Sequence, residues 1–236
     1  MNGELKNALK QSFAAPEPAG KEEFFQRMPP APVSISQFIC TQAAYIRKGV
    51  WALSALVFGA ALAGARGMDL ETVWRASALM PLLALTVLTE SGRSETWGMA
   101  ELELSTRFSL KSVVLARMGI LGAVNLALFL LLLPVAGKNS GAGLFRTGVY
   151  LACPYLLTAF CGLWVVRRVR GREAAFFCCG LAAAVSAGNL LLPQAVPAAY
   201  GERGFLLWLA ALAVLGAGTI RQSCEMIRQT EELLWN

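Results

Sequence analysis

Long uncharged runs alternate with short charged segments along this chain. Six strongly apolar stretches carry no Asp, Glu, Lys or Arg: 49–65, 76–89, 118–137, 147–166, 174–201 and 204–220. A helix that crosses the hydrocarbon core takes about 20 residues, with a range of about 17–25. Three of the runs meet that length, and 49–65 and 204–220 meet its lower limit. The second run reaches it once 70–75 is added, because the long side chain of Arg75 snorkels to the interface. The pattern predicts an all-α, polytopic membrane protein. Its six transmembrane helices lie at about 49–65, 70–89, 113–137, 147–166, 174–193 and 204–220.

The polar remainder divides the chain further. Residues 1–33 form a predicted cytosolic arm, with Leu5, Leu9 and Phe13 on one helical face and breaks at Pro16, Pro18 and Pro29–Pro32. Ser34 and Gln37 have the spacing of a capping box. Ile35, Phe38, Ile39, Tyr45 and Ile46 follow on an apolar side, with Gln37, Thr41 and Gln42 as polar positions. This predicts an interfacial helix before span 1, with Tyr45 and Trp51 at headgroup level. The transmembrane domain covers 34–221, and 222–236 is a predicted cytosolic tail.

The segment 90–111, ESGRSETWGMAELELSTRFSLK, is too polar to cross a bilayer. Trp97, Ala100, Leu104 and Phe108 recur every three or four residues, one stripe on a helix of period 3.6. Glu103 and Arg107 stand four apart in the favourable order for an ion pair, worth about 0.3–0.5 kcal/mol when exposed. The alternation Glu101-Leu102-Glu103-Leu104 also fits a strand, but a lone strand beside a bilayer leaves its backbone groups unpaired. The segment is therefore an amphipathic cytosolic helix between spans 2 and 3.

Composition agrees with a membrane protein: 56% of the 236 residues are hydrophobic and only 15% charged, and the mean hydropathy is +0.53. A soluble domain is about 45–50% apolar and about 25% charged. No apolar signal-peptide core occurs in the first 48 residues, so the N-terminus is expected in the cytosol. Sixteen Lys and Arg residues then fall on the cytosolic side against five outside: Arg66, Arg75, Lys138, Arg146 and Arg203. The positive-inside rule thus places both termini in the cytosol of a multi-pass plasma-membrane protein. That asymmetry and anionic lipid account for the net charge of +6 without nucleic acid.

Candidate chemistry is sparse. The chain has no histidine, which removes the commonest general base and metal ligand. The six cysteines lack C-x-x-C spacing and are expected to pack as small hydrophobes. Gly137-Lys138-Asn139 fails as a phosphate loop, because Leu132 and Asn139 stand where Walker A requires Gly and Ser or Thr. No catalytic residue, cofactor or metal is expected, and any energy input comes from a partner. Within the spans only Asn125, Thr158, Ser186, Asn189 and other small polar groups occur. Arg117, one or two turns into span 3, either snorkels or pairs with a carboxylate, Glu90 being nearest. The cluster Arg167-Arg168-Val169-Arg170-Gly171-Arg172 is expected to anchor topology. Gly180, Ala184 and Gly188 form a small-residue ladder for close helix packing, and Pro193 and Pro197 predict a bend beyond it.

A surface helix, six spans with both ends cytosolic and an amphipathic helix between spans 2 and 3 together resemble the membrane subunits of type-2 ATP-binding-cassette exporters. The strings FICTQAAYIRKGVW (38–51) and TESGRSETWGMAELELSTRFSLKSVVLARM (89–118) are similar to those of uncharacterised permease-like proteins of Gram-positive gut bacteria. The chain departs from the larger exporters in having no sizeable external domain between spans 5 and 6, and in its long N-terminal arm. The resemblance implies that 34–48 is a connecting helix and 96–108 a coupling helix seated in a separate cytosolic ATPase. It also implies a second membrane subunit, identical or different. Glu90, Arg93, Glu101, Glu103 and Arg107 are then the coupling and hinge residues, with Trp97, Leu104 and Phe108 as the packing stripe. The alternative is a regulatory or scaffold membrane protein that holds a cytosolic signalling partner.

Overall fold

A computed structural model describes residues 34–64, 70–92, 110–140, 143–169, 171–196 and 202–232. Within them lie seven α-helices: α1 (Ile35–Tyr45), α2 (Lys48–Gly64), α3 (Leu70–Ser91), α4 (Leu110–Ser140), α5 (Leu144–Arg168), α6 (Arg172–Ala195) and α7 (Glu202–Glu232). No strand occurs among the described residues. Four helical stretches are long and apolar enough to cross a membrane: Ser112–Gly137, Leu144–Arg168, Arg172–Ala195 and Gly204–Arg228. A fifth is added if α1 and α2, which meet at 82°, are taken as one broken span. The described residues are therefore all helical, with four to five of the six predicted spans long and apolar enough to cross a membrane. The predicted helices of the arm 1–33 lie outside the described residues.

The helices alternate in direction, and two core clusters mark the ends of the bundle. At one end Val57 and Ala61 of α2, Ala76, Met80 and Leu83 of α3, Leu132 and Ala136 of α4 and Leu151 of α5 pack together. At the other, Leu85 and Leu88 of α3 meet Leu163 and Val166 of α5 and Cys178 and Ala182 of α6, with Met118 and Met226 against them. This second end gathers the finish of α3, α5 and α7 and the start of α4 and α6. It is the end that carries Arg117, Arg167, Arg168, Arg172 and Arg221.

Burial ranks the helices. Half of the apolar window of α5 is buried, against 6% of that of α7. The helix α3 packs on α2, α4, α5 and α6, with its most extensive contact on α5. Small residues permit that enclosure: Ala76, Ser77, Ala78 and Ala84 of α3 are all buried, and Gly162 of α5 lies directly against Leu88. The turn from α5 to α6 rests on Gly171, whose φ of 84° and ψ of −158° suit glycine alone.

Several boundaries differ from the sequence expectation. The helix α6 runs through Pro193 and ends at Ala195; Pro197 lies outside the described residues. The helix α7 continues to Glu232, so the predicted tail is, to that point, an extension of the last span. Segment 90–111 is shortened at both ends, because Glu90 and Ser91 close α3 and Leu110 opens α4. Cys153 and Cys178 are buried as expected, but Cys40, Cys179 and Cys224 are exposed. In and just after α1, Gln42 and Ile46 are buried, whereas Ile35, Ile39 and Tyr45 point outward. An apolar outward face is what lipid, rather than water, would favour.

Candidate functional site

The predicted coupling residues Arg93, Trp97, Glu101, Glu103, Leu104, Arg107 and Phe108 lie outside the described residues. The roots of that segment are described, and they are built from the end of α3. Thr89 donates its hydroxyl to the carbonyl of Leu85 at 3.0 Å, and Ser91 donates to that of Leu88 at 2.9 Å. The backbone N–H of Gly92 reaches the Leu88 carbonyl at 3.4 Å, and there the helix stops. A Cβ at Gly92 would stand 3.4 Å from Val166, so the end of α3 rests on the end of α5.

Glu90 is 3% exposed and Arg117 8%. The position expected to hinge in water is thus inside the bundle, and Arg117 does not snorkel into solvent. Glu90 follows Leu88 by two residues and Arg117 adjoins Met118, and both apolar neighbours belong to the same cluster. Neither charge lacks an interaction. Burial of a charge is tolerated only where other groups compensate it. Two opposite charges therefore flank the segment at its departure and its return.

A second polar group joins α5 to α7 at this end. Arg167 donates through Nη1 to Gln222 Oε1 and to Glu225 Oε2, the latter at 2.5 Å. Arg221 donates through Nε to Glu225 Oε1 at 3.0 Å. Arg168 lies over the Trp164 ring, 5.2 Å from its centroid. The basic cluster is predicted by the sequence, but Gln222 and Glu225 are not, since nothing in the local pattern aligns residue 167 with residues 55 and 58 positions away.

The ladder Gly180, Ala184 and Gly188 packs on no helix among the described residues. All three residues are exposed, and a Cβ at Gly180 or Gly188 would meet nothing within 4 Å. The reason is a second small-residue row on the opposite side of α6: Ala174, Cys178 and Ala182, continuing to Asn189, face inward instead. Gly180 and Ala184 line a shallow groove of about 590 Å³ with Val165, Glu173, Phe176, Phe177 and Leu181.

Polar links between spans are few. Asn125 donates to the Leu83 carbonyl at 3.0 Å, and Thr86 donates to the same oxygen at 2.7 Å. Asn189 donates to Ser77 Oγ at 2.6 Å. Ser77 and Asn189 each precede a helical proline by four residues, Pro81 and Pro193. Those prolines deprive both positions of their usual carbonyl partner, and neighbouring polar groups make such breaks tolerable in a membrane. A double-mutant cycle of Ser77→Ala and Asn189→Ala, read by thermal denaturation in detergent, is expected to give a coupling of about 0.6–1.7 kcal/mol. Additive effects would mean that the pair contributes nothing to holding α3 on α6.

Among the described residues no group of His, Cys, Asp and Glu gathers to hold a metal ion. No family of known proteins, no curated protein and no solved structure matches the chain.

Proposed function

We propose that the chain is the non-catalytic membrane subunit of an ATP-binding-cassette-type exporter. In this reading α2 through α7 are six spans, both termini are cytosolic, and α1 lies in the interface. The segment 96–108 docks on a separate ATPase, and a second membrane subunit completes the transporter in the plasma membrane. The observation that carries the reading is the placement of the roots of segment 93–109. It leaves α3, the most enclosed helix, and returns to α4 at the same end of the bundle. Buried opposite charges stand beside both roots. A push on that segment would act directly on α3, and through Gly92 and Leu88 on α5. The 82° meeting of α1 and α2 supports an interfacial helix that leads into a span.

The test is recovery of a Walker A ATPase with the tagged full-length chain. Reversing charge at Glu103→Lys and Arg107→Glu is expected to lower the ATPase recovered per membrane subunit about tenfold, since like-charge contact across an interface costs several kcal/mol. Yield and thermal stability should be unchanged. Equal recovery, or no ATPase in the wild-type eluate, would overturn the reading in favour of a regulatory scaffold.

A further inference from the structure

Where α5 and α7 run out of apolar sequence they enclose a polar cavity of about 210 Å³, lined by Trp164, Arg167, Arg168, Gln222 and Glu225. Its depth is set by the sequence. The uncharged runs of the two helices end at Val166 and Ile220, so Arg167 and Arg221 are the first charges met on leaving the hydrocarbon. Both walls therefore begin at headgroup level, where a half-exposed tryptophan such as Trp164, 47% accessible, is at home.

The lining is more than a topology anchor requires. Positive-inside anchoring needs only Lys or Arg in cytosolic water; it needs neither a cavity, nor a stacked ring, nor a clamp. Here Arg167 is held from two sides by Gln222 and Glu225, with 18% of its side chain accessible. Arg168 is exposed and braced on the Trp164 face, an attraction to the ring quadrupole that uses no lone pair. Its N–H groups thus have an acceptor yet to supply. Among the described residues, Arg167, Arg168 and Arg221 set three positive charges against the carboxylate of Glu225. Planar guanidiniums fixed in position and in excess of carboxylate match the bidentate geometry of phosphate oxygens. This end of the bundle is also the basic one, where anionic lipids attract cationic pockets between spans.

We propose that this cavity is a phosphate-binding site, filled by the headgroup phosphate of an anionic lipid or by a soluble phosphate ester. Arg168 and Trp164 form its outer wall and Arg167 its fixed floor. The assignment does not depend on the transport reading, since it requires only that α5 and α7 cross the membrane.

The test uses the full-length chain purified in detergent, stripped of lipid, and titrated separately with phosphatidylglycerol, phosphatidylcholine and glycerol phosphate by native mass spectrometry. Arg167 variants risk unclamping α5 from α7, so exposed Arg168→Gln is the probe. Arg172→Gln, at the start of α6 and outside the cavity, controls for general charge. Phosphatidylglycerol is expected to bind about tenfold tighter than phosphatidylcholine, and Arg168→Gln to erase about that factor, one charge-assisted contact. Arg172→Gln should change it less than about twofold. If glycerol phosphate binds with the same dependence on Arg168, the site takes a soluble phosphate; if only phosphatidylglycerol does, it takes lipid. Equal binding of the two lipids without glycerol phosphate binding, or equal effects of the two substitutions, would overturn the assignment.

Discussion

Replacing Arg117 with alanine is expected to destabilise the folded chain by about 3–5 kcal/mol, because removing a buried guanidinium leaves the groups that compensate it without their partner. Both groups are buried: Glu90 is 3% and Arg117 8% exposed, at the same end of the helices. Water does not reach either group to replace the lost partner, and hydrocarbon on the outer side offers none. Glu90→Ala should cost a similar amount by the converse argument. The double substitution Glu90→Ala with Arg117→Ala tests whether the two charges compensate each other, in which case its cost falls well short of the sum of the two singles. Thermal denaturation of the detergent-purified protein, followed by monodispersity on size exclusion, measures all three. Single variants as stable as wild type, or strictly additive losses, would show that the two charges are compensated by other groups. In a transporter the same variants report on coupling. If the segment 93–109 moves α3 and α4, the double variant should fold yet transmit less of the ATPase cycle than wild type.

The charge runs and hydrophobic runs made most of the architecture legible. Transmembrane segments show in a sequence because every backbone polar group in hydrocarbon must be satisfied within a helix, which demands long uncharged stretches. Which face of each helix turns inward was much less legible. In α6 two small-residue rows coexist, and only packing against Leu163 and Val166 of α5 selects Ala174, Cys178 and Ala182 over Gly180, Ala184 and Gly188. In lipid the usual guide fails, since the outer face is as apolar as the inner one. Phe176 and Phe177, 77% and 58% exposed, illustrate the point. Pro193 breaks a helix in water, but here it is accommodated within α6, next to the bond that Asn189 makes to Ser77. The polar site between α5 and α7 was half visible: the arginines stand together in sequence, whereas Gln222 and Glu225 reach them only because α7 stays helical past its apolar stretch.

Substituting Gly162 tests that choice of faces at the seam between the two innermost helices. A Cβ placed there would stand 2.2 Å from Leu88 Cδ1, 3.0 Å from Cδ2 and 3.1 Å from Cγ. Leu88 is 2% exposed and walled by Leu85, Leu163, Val166, Cys178 and Ala182, so it has little room to yield. Gly162→Ala is therefore expected to cost about 1–3 kcal/mol by overpacking, and Gly162→Val more. Leu88→Ala alone opens a cavity and costs about 2–5 kcal/mol. Combined with Gly162→Ala it also removes the clashing atoms, so the pair should lose at least about 1 kcal/mol less than the two singles summed. Gly180→Ala supplies the contrast. Its Cβ meets nothing within 4 Å, and the substitution should be neutral within about 0.5 kcal/mol. A loss at Gly180 equal to that at Gly162 would place a partner on the outer row and contradict the packing of α6 described here. The seam matters for motion as well as stability, because Leu88 lies one turn before Gly92, where α3 gives way to the segment that would receive the push.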